Sequence, residues 1–326
     1  MNSKKSLIKR LIIISPISAL AIGLLAGCSC SGSNSGVRLG TGGSGGTYYA
    51  YGTKLEKLDS GIIIKTTAGS EANLRLLEKG FVDAAIVQSD SLDVSNKGIA
   101  ALTGLYTEAV QLVVRKDSGI TGVEGLRGKR VSVGEAESGV VRNAKQILLT
   151  AGLTFEDIEV NNLSFNDAVR SLKEGKIDAF FCTAGVPTEA VRQLASTGEA
   201  SIVDFDEGLR RRLLNLSPGY SECTIPAGTY QGQEQDIHTL GVRAVLVVDP
   251  SLDYDTAYNL VKTVFENSQE LNSDIVTDGK LTGESAVLSV GVPFHSAAVD
   301  YLGKQGVTVA EWSGSKAKGV YGSQDQ

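Results

Sequence analysis

Between Gly40 and Thr47 the chain reads Gly-Thr-Gly-Gly-Ser-Gly-Gly-Thr, and three kinds of chemistry can use such a loop. Gly40-x-Gly42-x-x-Gly45 fits the fingerprint by which a strand-to-helix turn lets a dinucleotide pyrophosphate approach the backbone. Gly42-x-Ser44-x-Gly46 fits the sharp turn that exposes a nucleophilic serine. The third use requires no reaction. Glycines let backbone N–H groups close on an anion, and the helix N-terminus after the loop adds about half a positive charge.

Residues elsewhere decide among these uses. A serine nucleophile needs a histidine base held by a carboxylate. The chain has two histidines, His238 and His295, and His295 in Pro293-Phe294-His295-Ser296 reads more simply as a helix start or a hinge. The related loop Gly134-Glu-Ala-Glu-Ser-Gly139 lacks the dinucleotide fingerprint. Two histidines without a Cys-x-x-Cys pair disfavour zinc. The expectation is a binding protein with no catalytic residue, no metal and no cofactor, an exported serine hydrolase being the remote alternative. Ser44, Thr47, Ser70 and Ser138 are placed to cap helices or to turn a hydroxyl to a carboxylate. Of Tyr48, Tyr49 and Tyr51, at least one should line a cleft while another covers a sheet, and Asn73 and Gln88 are candidate donors to a ligand.

The elements that must position these residues come from a unit used twice. Val37-Arg-Leu-Gly40 leading to Ser44-Gly45 matches Val131-Ser-Val-Gly134 leading to Ser138-Gly139, an offset of 94. Leu77-Glu-Lys-Gly-Phe-Val-Asp-Ala-Ala-Ile86 matches Leu172-Lys-Glu-Gly-Lys-Ile-Asp-Ala-Phe-Phe181 at an offset of 95. Each copy reads as strand, glycine-containing loop, helix, strand, helix, strand. The second helices start at Ser70 and Ser164, with Leu74, Leu76 and Leu77, and Ala168, Val169 and Leu172, facing inward and Gly80 and Gly175 as their left-handed stops. Alternating strands and helices predict an α/β sheet with helices on both faces in each of two lobes. Ligands of such sheets bind beyond the carboxyl ends of the strands. Those ends are the repeated loops, Thr41–Thr47, Ala68–Asn73 and Gln88-Ser89 in one lobe, Glu135–Gly139 and Thr183–Thr188 in the other. The β-rich runs Gln111–Arg115 and Leu240–Val248 flank the second copy and should cross between lobes. Lobe one is then 37–115 plus 240–326 and lobe two 116–239, with helical patterns at Asp253–Leu271 and Ser296–Gln305 packing back on lobe one.

The first residues place the chain in the cell. Lys4, Lys5, Lys9 and Arg10 precede an apolar run from Leu11 to Leu25, the order of an export signal over residues 1–27. Leu25-Ala-Gly-Cys28 resembles the lipobox of bacterial lipoproteins, which implies acylation of Cys28, palmitate included, and a lipid-anchored protein outside the cytoplasm, in the periplasm or on the outer surface. Residues 28–36 read as a flexible linker. The chain carries 31 Lys and Arg against 37 Asp and Glu; without the four basic leader residues the balance is 27 against 37, a net charge of −10. An acidic chain with no basic run excludes nucleic acid as a partner. Cys182 and Cys223 could pair in an oxidising compartment, or remain as buried thiols.

Assembled in order, these segments resemble the TAXI receptors, the extracytoplasmic solute-binding components of one class of tripartite ATP-independent periplasmic (TRAP) transporters. The matching stretches are Leu39–Tyr48, Gly69–Leu77, Val87–Asp90, Leu126–Gly134, Leu163–Phe165, Ile177–Phe181, Ala184–Thr188 and Thr224–Tyr230. The resemblance implies a two-lobed type II periplasmic-binding-protein clamp, monomeric, that captures glutamate, a related amino acid or a dicarboxylate and delivers it to a TRAP-type integral membrane permease. A clamp serving an ABC importer or a membrane sensor is the alternative. Carried over by motif, the ligand contacts would be Gly43, Ser44, Thr47, Tyr48, Ser70, Asn73 and Gln88 from lobe one, with Ser138, Gly139, Ala184, Gly185 and Thr188 from lobe two. One departure bears on the ligand. The family's second loop reads Gly-Ser-Gly-Thr where this chain has Glu137-Ser138-Gly139-Val140. A carboxylate there repels an anion if it faces the cleft and does nothing if it faces solvent.

Overall fold

A computed structural model describes residues 36–93, 95, 98–277 and 281–313. The leader, Cys28 and most of the linker lie outside them. Among the described residues no helix is long and apolar enough to cross a membrane.

The first copy of the repeat forms β1 (Val37–Gly40), α1 (Thr47–Leu58), β2 (Ile62–Lys65), α2 (Ser70–Glu78) and β3 (Ala84–Gln88), with β1 parallel to and between β2 and β3. After the long strand β4 (Ala100–Arg115), the second copy forms β5 (Arg130–Ser132), α3 (Gly139–Thr150), β6 (Glu159–Asn161), α4 (Phe165–Lys173) and β7 (Ala179–Ala184), with β5 between β6 and β7. Next come α5 (Glu189–Ala195), β8 (Ala200–Val203), α6 (Glu207–Leu216), β9 (Tyr220–Ile225) and a second long strand, β10 (Ile237–Val248). The last helices of the described residues are α7 (Tyr254–Glu266), α8 (Ser268–Leu271) and α9 (Ser296–Lys304), whose inner residues Leu260, Val264, Ala298 and Leu302 join the core of the first unit.

The fold is α/β, as the alternation of elements predicts, but the two sheets are continuous. Among the described residues, ten strands form one mixed sheet in the order β2-β1-β3-β10-β4-β7-β5-β6, with β8 added to β4 and β9 to β10. β4 and β10 are antiparallel to each other, and each passes through both units. One core draws on residues from Leu39 to Tyr106 and from Ala244 to Leu302. Two others draw on residues from Ala109 to Val242. The first crossing strand starts at Ala100, earlier than its most β-rich stretch at Gln111–Arg115, because Ala100–Tyr106 carries no charge and is buried throughout.

The repeat is real, but its strand and loop segments align two residues away from the serine–glycine match. In the first unit, the backbone N–H and Nε of Arg38 donate to Asp83 Oδ2 at 2.8 and 2.9 Å, and Nη2 donates to Oδ1 at 2.6 Å and to the Gly80 carbonyl at 2.9 Å. In the second, N and Nε of Arg130 donate to Asp178 Oδ2, each at 3.0 Å, Nη2 to Oδ1 at 2.6 Å, and Nη1 to the Gly175 carbonyl at 2.6 Å. Arg38 therefore corresponds to Arg130, an offset of 92 that also carries the α1 start, Thr47, onto the α3 start, Gly139. The drift to an offset of 95 at Asp83 and Asp178 is taken up between the two helices. Gly80 and Gly175 both take φ +67°, the left-handed turn required after a helix.

This brace ties the first strand of each unit to the turn before the third. Its hydrogen bonds hold both carboxyls below the usual carboxylate range, through Arg38 for Asp83 and Arg130 for Asp178. A depressed folded-state value stabilises the fold above about pH 4, and that contribution is lost as pH falls through the depressed values. Asp178→Ala should cost about 1–3 kcal/mol in urea unfolding at pH 7, because it removes a charged acceptor from a backbone N–H and a guanidinium, and the deficit should shrink on acidification. Asp117→Ala, which removes a 75% exposed partner of Arg115, should be nearly silent in the same measurement.

Candidate functional site

The carboxyl ends of the parallel strands in both units face one cavity of about 850 Å³, its mouth included. Four helices begin at its wall, because their N-cap residues Gly46, Gly69, Ser138 and Ser164 all line it. Gly46 and Gly69 offer no side-chain cap to α1 and α2, whereas the Ser138 and Ser164 hydroxyls accept from Val141 and Asp167 N–H. Helix N-termini gathered in this way turn partial positive charge toward the cavity, and no Lys or Arg is among the described residues that line it.

Of the residues anticipated as ligand contacts, the cavity wall holds Gly43, Ser44, Thr47, Tyr48, Ser70, Gln88, Ser138, Gly139 and Ala184. Asn73, Gly185 and Thr188 are not in it. The Asn73 amide donates to the carbonyls of Thr41 (2.6 Å) and Ile86 (2.8 Å) and accepts from the Thr67 hydroxyl (2.7 Å), so it pins the first loop to β3. Thr188 is fully buried; its hydroxyl donates to the Gly185 carbonyl and accepts from Gln111, while its N–H donates to Tyr230 Oη. Both polar side chains build the loops that form the wall.

Of the four hydroxyls placed to cap helices, only Ser138 does so. Thr47 donates to the Gly185 carbonyl at 3.1 Å, Ser44 Oγ accepts from Asn166 at 3.2 Å, and Ser70 Oγ accepts the Gln88 N–H at 3.0 Å. The tyrosines divide as the spacing allows. Tyr48 lines the cavity, and Tyr51, three positions on, is buried against Tyr106 with ring centroids 5.4 Å apart. His295 caps α9, its Nδ1 accepting the Ala297 N–H. No histidine is among the described residues that line the cavity. Cys182 on β7 and Cys223 on β9 are buried and unbridged, since β4 and β10 lie between their strands in the sheet.

The residue that the sequence pattern did not single out is Glu108. It is on β4, 1% exposed, at the cavity wall, and it accepts a 2.8 Å hydrogen bond from the Tyr48 hydroxyl. Burial holds its carboxyl well above the usual range, against the hydrogen bonds of Tyr48 and Gln88. The signal was present in the sequence, as a single acid in the otherwise uncharged run Ala100–Val114.

The two units touch across the cavity. Besides Thr47–Gly185 and Ser44–Asn166, Asn143 Nδ2 donates to Asp90 Oδ2 at 2.8 Å, and the Ala72 N–H donates to the Glu137 carbonyl at 2.9 Å. Glu137 is outside the cavity wall. Its carboxylate turns to Arg75 of the first unit at 2.7 Å, so it neither repels a ligand nor points idly at solvent.

Two of these inter-unit acids can be tested directly. Burial pushes Asp90 up to about 6, with Glu71 adding to the rise and Arg142 and Asn143 opposing it. The folded state then holds a proton that the unfolded chain releases near pH 4, so stability falls as pH rises from about 4 to about 6. Asp90→Asn should gain about 1–3 kcal/mol at pH 8 and little at pH 4 in urea melts, an order-of-magnitude figure from a shift of this size. Glu137 takes φ +63°, a left-handed conformation costly for a side chain. Glu137→Gly relieves that strain and loses a half-exposed ion pair, effects of about 1 kcal/mol or less in opposite directions. Its thermal midpoint should stay near the parent's, while Glu137→Val, β-branched in the same conformation, should be destabilised by about 1–3 kcal/mol.

Comparison with known proteins matches residues 39–306 to the model of the NMT1-like family. Among solved structures, the chain is similar to a protein from Bordetella bronchiseptica RB50, at 16% identity over 88% of this chain and 85% of that one with a TM-score of 0.51. It also matches the alkanesulfonate-binding protein SsuA from Xanthomonas axonopodis pv. citri bound to MOPS, at 16% identity over 73% of each chain and a TM-score of 0.47. The periplasmic aliphatic sulphonate binding protein SsuA from Escherichia coli matches at 15% identity over 82% of this chain and 78% of that one, with a TM-score of 0.42. At 16% identity the likeness to the Bordetella protein is one of fold. The family match spans both units and the crossing strands between them, and this α/β chain belongs to the NMT1-like family.

Proposed function

We propose that the protein is an extracytoplasmic solute receptor, anchored by a lipid on Cys28, that captures a small polar, carboxylate-bearing solute and hands it to a TRAP-type permease. The jaws are residues 37–115 with 240–326 and residues 116–239, and they close by bending of β4 and β10. The observation that carries this reading is the convergence of four helix N-termini, two from each unit, on one cavity. Such an array binds a carboxylate by N–H donors and helix dipoles, and only with both units in place. Gly43, Ser44, Thr47, Tyr48, Ser70 and Gln88 contact the solute from the first jaw, with Ser138, Gly139 and Ala184 from the second. The bridges between the units, Thr47 to Gly185 and Arg75 to Glu137, belong to the closed clamp. The motifs shared with the TAXI receptors support the TRAP-type partner. The order of charge, apolar run and lipobox-like Leu25–Cys28 supports export and anchoring.

A thermal-shift panel of L-glutamate, L-glutamine and C4 to C5 dicarboxylates tests this reading. A bound solute at 100 times its Kd should add about 2.7 kcal/mol of stability, and the same solute should compact the protein in small-angle scattering. A panel in which no compound raises the melting temperature or reduces the radius of gyration overturns the assignment.

A further inference from the structure

The three parallel strands of the first unit begin together at the end remote from the cavity, which takes their carboxyl ends. That end carries two exposed apolar side chains, Phe81 (60% exposed) in the turn before β3 and Ile63 (42%) in β2. Both adjoin Arg38. Ile63 pairs with it across β1 and β2, and the carbonyl of Gly80, next to Phe81, accepts from its guanidinium. Half-buried Val37 and Leu58 belong to the same end.

Single exposed apolar residues are ordinary on a protein surface. The second unit shows that the fold does not require these two. Gly80 corresponds to Gly175, so Phe81 corresponds to Lys176; Arg38 corresponds to Arg130, whose neighbour in register on β6 is Glu159, so Ile63 corresponds to Glu159. Both counterparts are exposed and charged. The same brace is built in both units, and only the first sets apolar side chains at these places beside it. The first unit is also the one that the chain enters from Cys28. Gly36 is eight residues after Cys28, a reach of at most about 29 Å, and a Cβ at Gly36 would lie 3.3 Å from Ile63 Cδ1. Around Phe81 and Ile63 the charges are mixed, Lys57 and Lys79 with Glu56, Asp59 and Glu78, which suits zwitterionic headgroups better than anionic ones.

We propose that this end of the first unit rests on the lipid bilayer, with Phe81 and Ile63 in the headgroup boundary. This rests on the lipid anchor in the reading above and adds to it a second, weak membrane contact made by the folded body. Apolar side chains gain by entering that boundary. A tether that already holds them near it makes the contact an intramolecular event, so little apolar surface is enough. The cavity is at the opposite ends of the same strands, so a body seated in this way keeps its cavity off the bilayer and leaves the second unit to move.

The full lipidated chain, reconstituted in phosphatidylcholine vesicles whose acyl chains are brominated near the headgroups, tests the contact. The parent's one tryptophan, Trp312, sets the background emission. Phe81→Trp should lose its added emission in the brominated vesicles. Leu216→Trp, at a 73% exposed position that ends α6 in the second unit, should keep it. Ile63→Glu, which installs the residue found at the matching place in the second unit, should restore part of the emission from position 81. A chain that does not float with the vesicles overturns the lipid anchor and this contact together. A chain that floats, with position 81 quenched no more than position 216 or unaffected by Ile63→Glu, overturns the contact and leaves the anchor standing. A blue shift at position 81 that grows with protein concentration in the absence of vesicles assigns the face to a second copy of this chain and also overturns it.

Discussion

The pairing of β4 with β10 is the constraint on which the rest of the molecule depends. Each strand runs through both units, with β3 and β9 beside β10 and β7 and β8 beside β4. The ladder between them slips twice, between Arg243 and Val245 and between Leu246 and Val247. Such bulges bend and twist a strand without ending it. Each unit can therefore keep its own apolar core while its loops stay aimed at the other's. The cores change over between Tyr106 and Ala109 on β4, and Glu108 lies in that interval. The buried acid at the cavity is thus on the segment where the two units are joined.

The carboxylates divide by what surrounds them. Asp83 and Asp178 each receive a guanidinium and a backbone N–H, and the charged form is favoured at the edge of each unit. Asp90 and Glu108 lie between the units, where desolvation outweighs the hydrogen bonds they accept, and their carboxyls are pushed up. The acids that hold each unit together are ionised at neutral pH. Asp90 and Glu108 sit where neutralisation is favoured, so acidification weakens the braces while it relieves these two buried acids.

The repeat, its element order and most of the cavity wall were legible because they rest on local pattern: apolar strands, glycine turns, hydroxyls at helix starts. The alignment of the first strands was not. Serine and glycine in the two loops match at an offset of 94, while the Arg–Asp braces, spaced 45 residues apart in one unit and 48 in the other, impose 92. A brace between residues far apart in sequence leaves no periodic trace in either copy. Asn73 and Thr188 illustrate a related limit: a polar residue beside a cleft is equally suited to hold the loop or the ligand, and in this structure the bonds of both run within the protein. Glu137 required the other unit to be in place before its partner, Arg75, could be seen.

Gly139 opens α3, and its α-carbon faces the Gln88 and Ser70 side chains of the opposite unit. The absence of a side chain there is a gauge of distance. The gap left by one missing methyl group sets how closely the units can approach. A bulkier residue would act as a spacer, keeping the wall chemistry intact on each side but holding the halves too far apart to share a ligand. The spacing of the two units is thus recorded in one glycine as much as in any group that bonds.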